Sequence, residues 1–289
     1  MFGKPADHVI GGVQRLGDKP AYVAKALERL AEDHVKDQGL HHGLPMILQT
    51  RHEAVPDFLR RVVAKSPHRR VRGIGSLLLA MLIASESKNE AEVVRLLESC
   101  AGEYKDVQME GAALGQEADG TTLEKLAKPV LHRVRYLTVG KKAQEILGKD
   151  VDGKEFKLSD YRDKVVLLDF FADWCPHCVQ MYPHERRLVK DHANRPFALL
   201  GISTESRNTL RELLDAKKVT WKCWSDGQSG PIARDWQVES FPTMYLLDQE
   251  GIIRFSWDHR PDEKELDKAV KELLDKVGEP KLAKPAEKK

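Results

Sequence analysis

The chain has 289 residues, more than one hydrophobic core usually serves, so about two domains are expected. Lys and Arg number 47 against 45 Asp and Glu, a formal net charge of +2. That balance offers no broad positive field for a polyphosphate backbone, and nucleic acid is not expected as a partner. A composition 41% hydrophobic and 32% charged describes a helix-rich globular protein rather than a membrane protein.

In chain order, the first thirty residues lack a continuous apolar stretch followed by a small-residue cleavage site, so no signal peptide is expected. A complete chain of this kind would be cytoplasmic. From Pro20 to about Leu137 apolar residues recur at spacings of three and four, predicting helices over 21–35, 55–66, 71–87 and 89–104. Breakers at His41-His42-Gly43 with Pro45, at Ser66-Pro67 and at Ser87-Lys88-Asn89 separate them, predicting antiparallel helical hairpins. Residues 58–73 resemble one HEAT-type helix pair, and no second copy follows. The longest apolar run, Ile74 to Ala84, is about half of the ~20 residues needed to cross a bilayer and reads as a buried helix.

Near Gly140 the pattern changes. A turn-rich segment from Val151 to Phe156 leads to Val165–Phe171, seven β-prone residues that predict a central buried strand. Further on, helices are expected through about His192, over 208–217, near 230–236 and over 262–277. Strands are expected over 196–202 and near 219–224, then a hairpin of 243–247 and 252–257 closed by Asp248-Gln249-Glu250-Gly251. The fold class is thus an α/β domain over 140–278 behind an all-α helical-hairpin domain over 1–139, with a solvated tail over 279–289. Neither half carries a charge excess that would make it a nucleic-acid arm.

The chemistry concentrates at Trp174-Cys175-Pro176-His177-Cys178, directly after the central strand and at the start of a helix. Unpaired N–H groups and the dipole at a helix N-terminus favour a thiolate, which makes Cys175 the candidate attacking sulfur. Pro176 suits the first helical position, and Cys178 lies close enough to close a disulfide within one turn, as the candidate resolving sulfur. A zinc half-site is the other reading of this spacing, but neither Cys100 nor Cys223 belongs to a second ligand pair. Cys100 and Cys223 read as buried core thiols, and His34, His41, His42 and His52 match no ligand spacing. No metal and no cofactor beyond a Cys175–Cys178 disulfide is expected.

Residues 164–175, with Asp152-Gly153-Lys154 and Leu158-Ser159-Asp160-Tyr161 before them, resemble the TlpA/ResA branch of the thioredoxin-like fold. Pro183, eight residues after Cys175, and the late Phe241-Pro242-Thr243 agree with it. The resemblance covers about 140–278. It implies a thioredoxin-like domain with a central mixed sheet, thiol–disulfide oxidoreductase activity, protein thiols and disulfides as substrates, an upstream redox partner and an extracytoplasmic setting.

The resemblance also implies site residues. Pro242 would be cis, against the cysteine pair, with Phe241 and Thr243 in the backbone that binds an extended substrate. Trp174 and Pro176 would border that surface, Trp174 as an apolar lid. Phe241 departs from the small or β-branched residue usual there. Asp169 stands where thioredoxins carry a buried acid and would accept the Cys178 proton; an Asp tied to neighbouring backbone is the alternative. His177 reproduces the Cys-Pro-His-Cys of DsbA-type oxidases and implies a less reducing disulfide than thioredoxin's, unless it is only a solvated first-turn residue. Pro183 would kink the helix.

Two further classes stay open. A thiol peroxidase of the peroxiredoxin type needs P-x-x-x-T-x-x-C, and Leu168 and Ala172 occupy those positions. A non-enzymatic interaction protein would use the fold as a scaffold, and in either case the helical domain could dock a partner.

Overall fold

The computed structural model describes residues 20–84, 89–109 and 120–277. The expected tail from 279, the first nineteen residues, and Ser87 and Lys88 of one expected breaker lie outside the described residues. The chain divides into a unit ending at Val134 and a unit beginning at Arg135, five residues before the expected boundary. The reason is Leu137, which is buried in the core of the second unit with Ile146 and Phe156.

The described part of the first unit is helical: α1 (Pro20–Asp33), α2 (Leu40–Ile47), α3 (Val55–Lys65), α4 (Arg69–Ile83), α5 (Glu90–Ala101) and α6 (Leu123–Tyr136). α4 is buried on most sides, through Val71, Ile74, Leu77, Leu78 and Leu79. Glycines make that packing possible: a Cβ at Gly73 would lie 2.9 Å from Leu123 Cδ1 and 3.0 Å from Tyr104 Cβ. Arg60 of α3 donates two hydrogen bonds to Glu92 of α5, 2.8 Å and 2.9 Å.

The segment around His41-His42-Gly43 and Pro45 is not a breaker but α2, with Pro45 inside it. Leu40, Leu44 and Ile47, spaced by four and three, are fully buried. Burying three such side chains stabilises by roughly 1.5–3 kcal/mol each, which outweighs the ~3 kcal/mol that an interior proline costs. Among the described residues no helix is long and apolar enough to cross a membrane.

The second unit is built on a five-stranded sheet in the order β5-β4-β3-β6-β7: β3 (Val165–Phe171), β4 (Phe197–Ser203), β5 (Lys222–Ser225), β6 (Thr243–Leu247) and β7 (Ile253–Trp257). β3, β4 and β5 run parallel, and β6 and β7 are antiparallel to their neighbours. A short hairpin of β1 (Leu147–Lys149) and β2 (Glu155–Lys157) forms a separate two-stranded sheet that packs on Trp224 of β5, its strands flanking and overlapping the segment 151–156 expected to be turn-rich. Its three-residue strands are too short to show an alternating pattern.

α7 (Pro176–Asp191) follows β3, α8 (Arg207–Asp215) follows β4, α9 (Pro231–Asp235) follows β5, and α10 (Glu263–Val277) closes the unit. Every residue of β3 is buried, because both faces of the sheet are covered. Alternation sends Val165, Leu167 and Phe171 to the face packed by α7, α8 and α10, and Val166, Leu168 and Phe170 to the other. Asp169 falls in the first series, facing α7. The hairpin turns at Gly251, whose φ of +78° is the left-handed conformation glycine adopts freely.

Candidate functional site

The end of β3 and the start of α7 place the cysteines. Cys175 is the N-cap of α7, with extended backbone (φ −88°, ψ 112°), and Pro176 is the first helical residue. The Cys175 N–H donates to Ala172 O at 3.1 Å, which fixes the turn out of the strand. All four cysteines are free thiols. The Cys175 thiol donates to Phe241 O at 3.3 Å, and the Phe241–Pro242 peptide is cis. The start of β6 therefore lies against the first cysteine.

Cys178, one turn into α7, is 1% exposed. Burial pushes its thiol well up, and the Asp169 carboxyl adds to that. Asp169 is also 1% exposed, and burial pushes its carboxyl up to about 7. Its neighbouring acid is Glu185 on α7, whose carboxyl interacts with it.

The other expected site residues differ in exposure. Trp174 is 68% exposed, and its ring meets Phe241 edge to face at 5.6 Å. Pro176 and His177 are exposed in the first turn of α7, and Phe241 is half-buried. Pro242 and Thr243 are buried. The Thr243 hydroxyl donates to Ser240 O at 2.8 Å, bracing the turn before the cis proline. Pro183 lies inside α7.

Cys223, on β5, is buried on the same side of the sheet and donates to Trp221 O at 3.5 Å. Burial raises its thiol far above the usual range. Cys100 is buried in the first unit, its thiol pushed up to about 12 by burial. The histidines are engaged locally: His34 with Asp37, His41 with Gln38 O, and His52 accepting from the Ala54 N–H. Among the described residues no group of three His, Cys, Asp or Glu is placed to hold a metal ion.

Sequence reasoning missed Glu185 and Tyr182. Both are buried beneath the cysteines. Cys178, Tyr182 and Glu185 are spaced by four and three and so share one helix face, but that spacing alone does not tell which face of a charged helix is packed.

A mixed sheet with a Cys-x-x-Cys at the β3–α7 junction and a cis proline opposite the first sulfur defines a thioredoxin-like redoxin. Residues 139–256 match the family described as AhpC/TSA. The chain is 31% identical over 119 residues to the thioredoxin-like protein YneN of Bacillus subtilis, covering 40% of this chain and 68% of that protein. It is 25% identical over 119 residues to the thiol-disulfide oxidoreductase ResA of Geobacillus thermodenitrificans, covering 41% and 68%. Among solved structures, a thiol-disulfide oxidoreductase from Bacteroides fragilis is 26% identical, covers 46% of this chain and all of that one, and has a TM-score of 0.42. The chain belongs to the thioredoxin-like redoxins of the AhpC/TSA family. The helical unit before residue 135 lies outside the residues matched by the family.

Proposed function

We propose that this protein is a thiol–disulfide oxidoreductase that exchanges disulfides with protein substrates through Cys175 and Cys178. The observation that carries the reading is the placement of Cys175: it caps α7 and touches Phe241 O beside the cis Pro242. The relatives' printed names support the activity class.

The Cys175 sulfur, as thiolate, attacks one sulfur of a substrate disulfide; the S–S bond breaks, and its electron pair leaves on the other substrate sulfur, which takes a proton from water. The mixed disulfide is then resolved by Cys178, whose proton passes to Asp169 while its sulfur bonds to Cys175 and expels the second substrate thiolate. Two electrons move from the dithiol to the substrate, and the reverse sequence oxidises a substrate dithiol. The backbone at Phe241 and Thr243 aligns the bound chain, and the exposed Trp174 ring, Pro176 and the Phe241 edge present an apolar rim to it. The helical unit is free to select the client, and an upstream redox partner recycles the disulfide.

One variant tests the reading with insulin disulfides as substrate. Cys175→Ser abolishes reduction, and full activity in that variant would remove Cys175 from the role. The peroxidase alternative lacks the hydroxyl of the P-x-x-x-T-x-x-C motif, because Ala172 stands in its place. Consumption of hydrogen peroxide by the purified protein at a peroxiredoxin's rate would reinstate it.

A further inference from the structure

The interior below the cysteines holds two carboxyls side by side. Asp169 comes from β3 and Glu185 from α7, where it is 0% exposed. Among the described residues, Asp169 Oδ1, both oxygens of Glu185 and the Tyr182 hydroxyl are buried with no hydrogen-bond partner. The two carboxyls face each other and interact, each perturbing the other's ionisation. Two ionised carboxylates offer only acceptors, so a hydrogen bond between them requires a proton on one. In apolar surroundings two adjacent like charges cannot both persist, and burial together with Asp169 pushes Glu185 well above the usual carboxyl range.

Among the described residues no cation is in contact with the pair. The residues registered against Asp169 on the neighbouring strands are Gly201 and Met244. The titratable groups facing the pair are Cys178 and Tyr182 of α7 and Cys223 of β5. The Arg186 charge reaches Glu185 only weakly; its guanidinium donates to Lys218 O at the surface.

We propose that Glu185 is a positioning residue of the resolving step: protonated, it donates a hydrogen bond to the Asp169 carboxylate and holds it ready to accept the Cys178 proton. The inference rests on the oxidoreductase reading and deepens it. As resolution proceeds, the Cys178 S–H bond breaks and its proton goes to Asp169. The sulfur's electron pair forms the bond to Cys175, and the Cys175–substrate S–S bond breaks with its pair leaving on the substrate sulfur. Glu185 keeps its own proton throughout, and Asp169 later passes the accepted one to water.

The test compares the wild type with Glu185→Leu, which removes the donor but suits an apolar interior, and Glu185→Gln, which keeps a donor without an ionisable proton. Reaction of the reduced protein with DTNB releases a second thionitrobenzoate only when Cys178 resolves the mixed disulfide, so the pH dependence of that second phase reports the step. In Glu185→Leu the acid limb should move up by about one pH unit, slowing the phase roughly tenfold on the acid side; in Glu185→Gln it should stay close to wild type. Infrared spectra at pH 8 should show one protonated buried carboxyl in the wild type and none in Glu185→Gln. An unmoved acid limb in Glu185→Leu, or no protonated carboxyl in the wild type, overturns the proposal. A wild type that releases only one thionitrobenzoate sinks the oxidoreductase reading and the proposed role together, while the infrared band still reports the carboxyl pair separately.

Discussion

Cys175 and Cys178 are three residues apart, yet their environments divide the labour between them. The first thiol, 5% exposed, touches the backbone at the cis proline, while the second, 1% exposed, has its ionisation opposed by burial. An attacking sulfur must be reached by substrate, and a resolving sulfur is protected until the mixed disulfide forms. His177 is exposed in the first turn of α7, and the proposed role for it is to stabilise a thiolate at Cys175 and with it the dithiol form. A glutathione redox titration should therefore give a potential above thioredoxin's value of about −270 mV, and His177→Gly should lower it. A wild-type potential at or below that value contradicts this role. The two cysteines were legible in the sequence because they sit at a strand–helix junction, and Asp169 and Pro242 because the resemblance to thioredoxin-like proteins implies them. Glu185 was not, since a Glu in a charged helix reads as solvent-facing until the packed face of that helix is known.

At the scale of elements, β3 and α7 form the working unit and the sheet supports them from below. The limits of β3 and β6 match those read from the sequence, because a fully buried strand and a strand entered through Phe-Pro-Thr have strong local signatures. α2 and the β1–β2 hairpin were missed. In α2, tertiary burial of a short apolar stripe overrides two local breakers, and nothing within eight residues announces it. Gly201 of β4, opposite Asp169, shows how tightly the support is packed: a Cβ there would lie 2.7 Å from Cys223 Sγ, 2.8 Å from Phe171 Cε1 and 3.0 Å from Trp221 Nε1. Gly201→Ala should cost about 1–3 kcal/mol of stability in urea unfolding. A loss within error of zero would mean that the sheet below the site yields more than its packing indicates.

For the whole molecule, the two units are distinguishable by their chromophores: all five Trp lie between residues 174 and 257, so Trp fluorescence follows the second unit. That unit should have an unusual pH dependence. Asp169 is raised from an ordinary 3.8 to about 7 by burial, so the folded state binds its proton more tightly than the unfolded chain. The stabilisation from that proton is complete below the unfolded value and is lost as pH rises through the folded one. Glu185, raised in the same direction, extends the loss to higher pH. The urea midpoint read by Trp fluorescence should fall between about pH 5 and 8, by on the order of 2–4 kcal/mol, and Asp169→Asn should flatten the slope. Carboxyls held down by basic partners, such as Glu263 beside Arg187, act in the opposite sense only in acid. A midpoint that rises with pH over this range contradicts the buried carboxyl pair.

The most direct measurement of the mechanism is intact-mass spectrometry with peptide mapping of Cys178→Ser after exposure to a disulfide-bonded peptide. Attack by Cys175 without a resolving partner should leave one stable peptide adduct, mapped to Cys175. Absence of an adduct, or one mapped to Cys100 or Cys223, would contradict the assignment of Cys175 as the attacking sulfur.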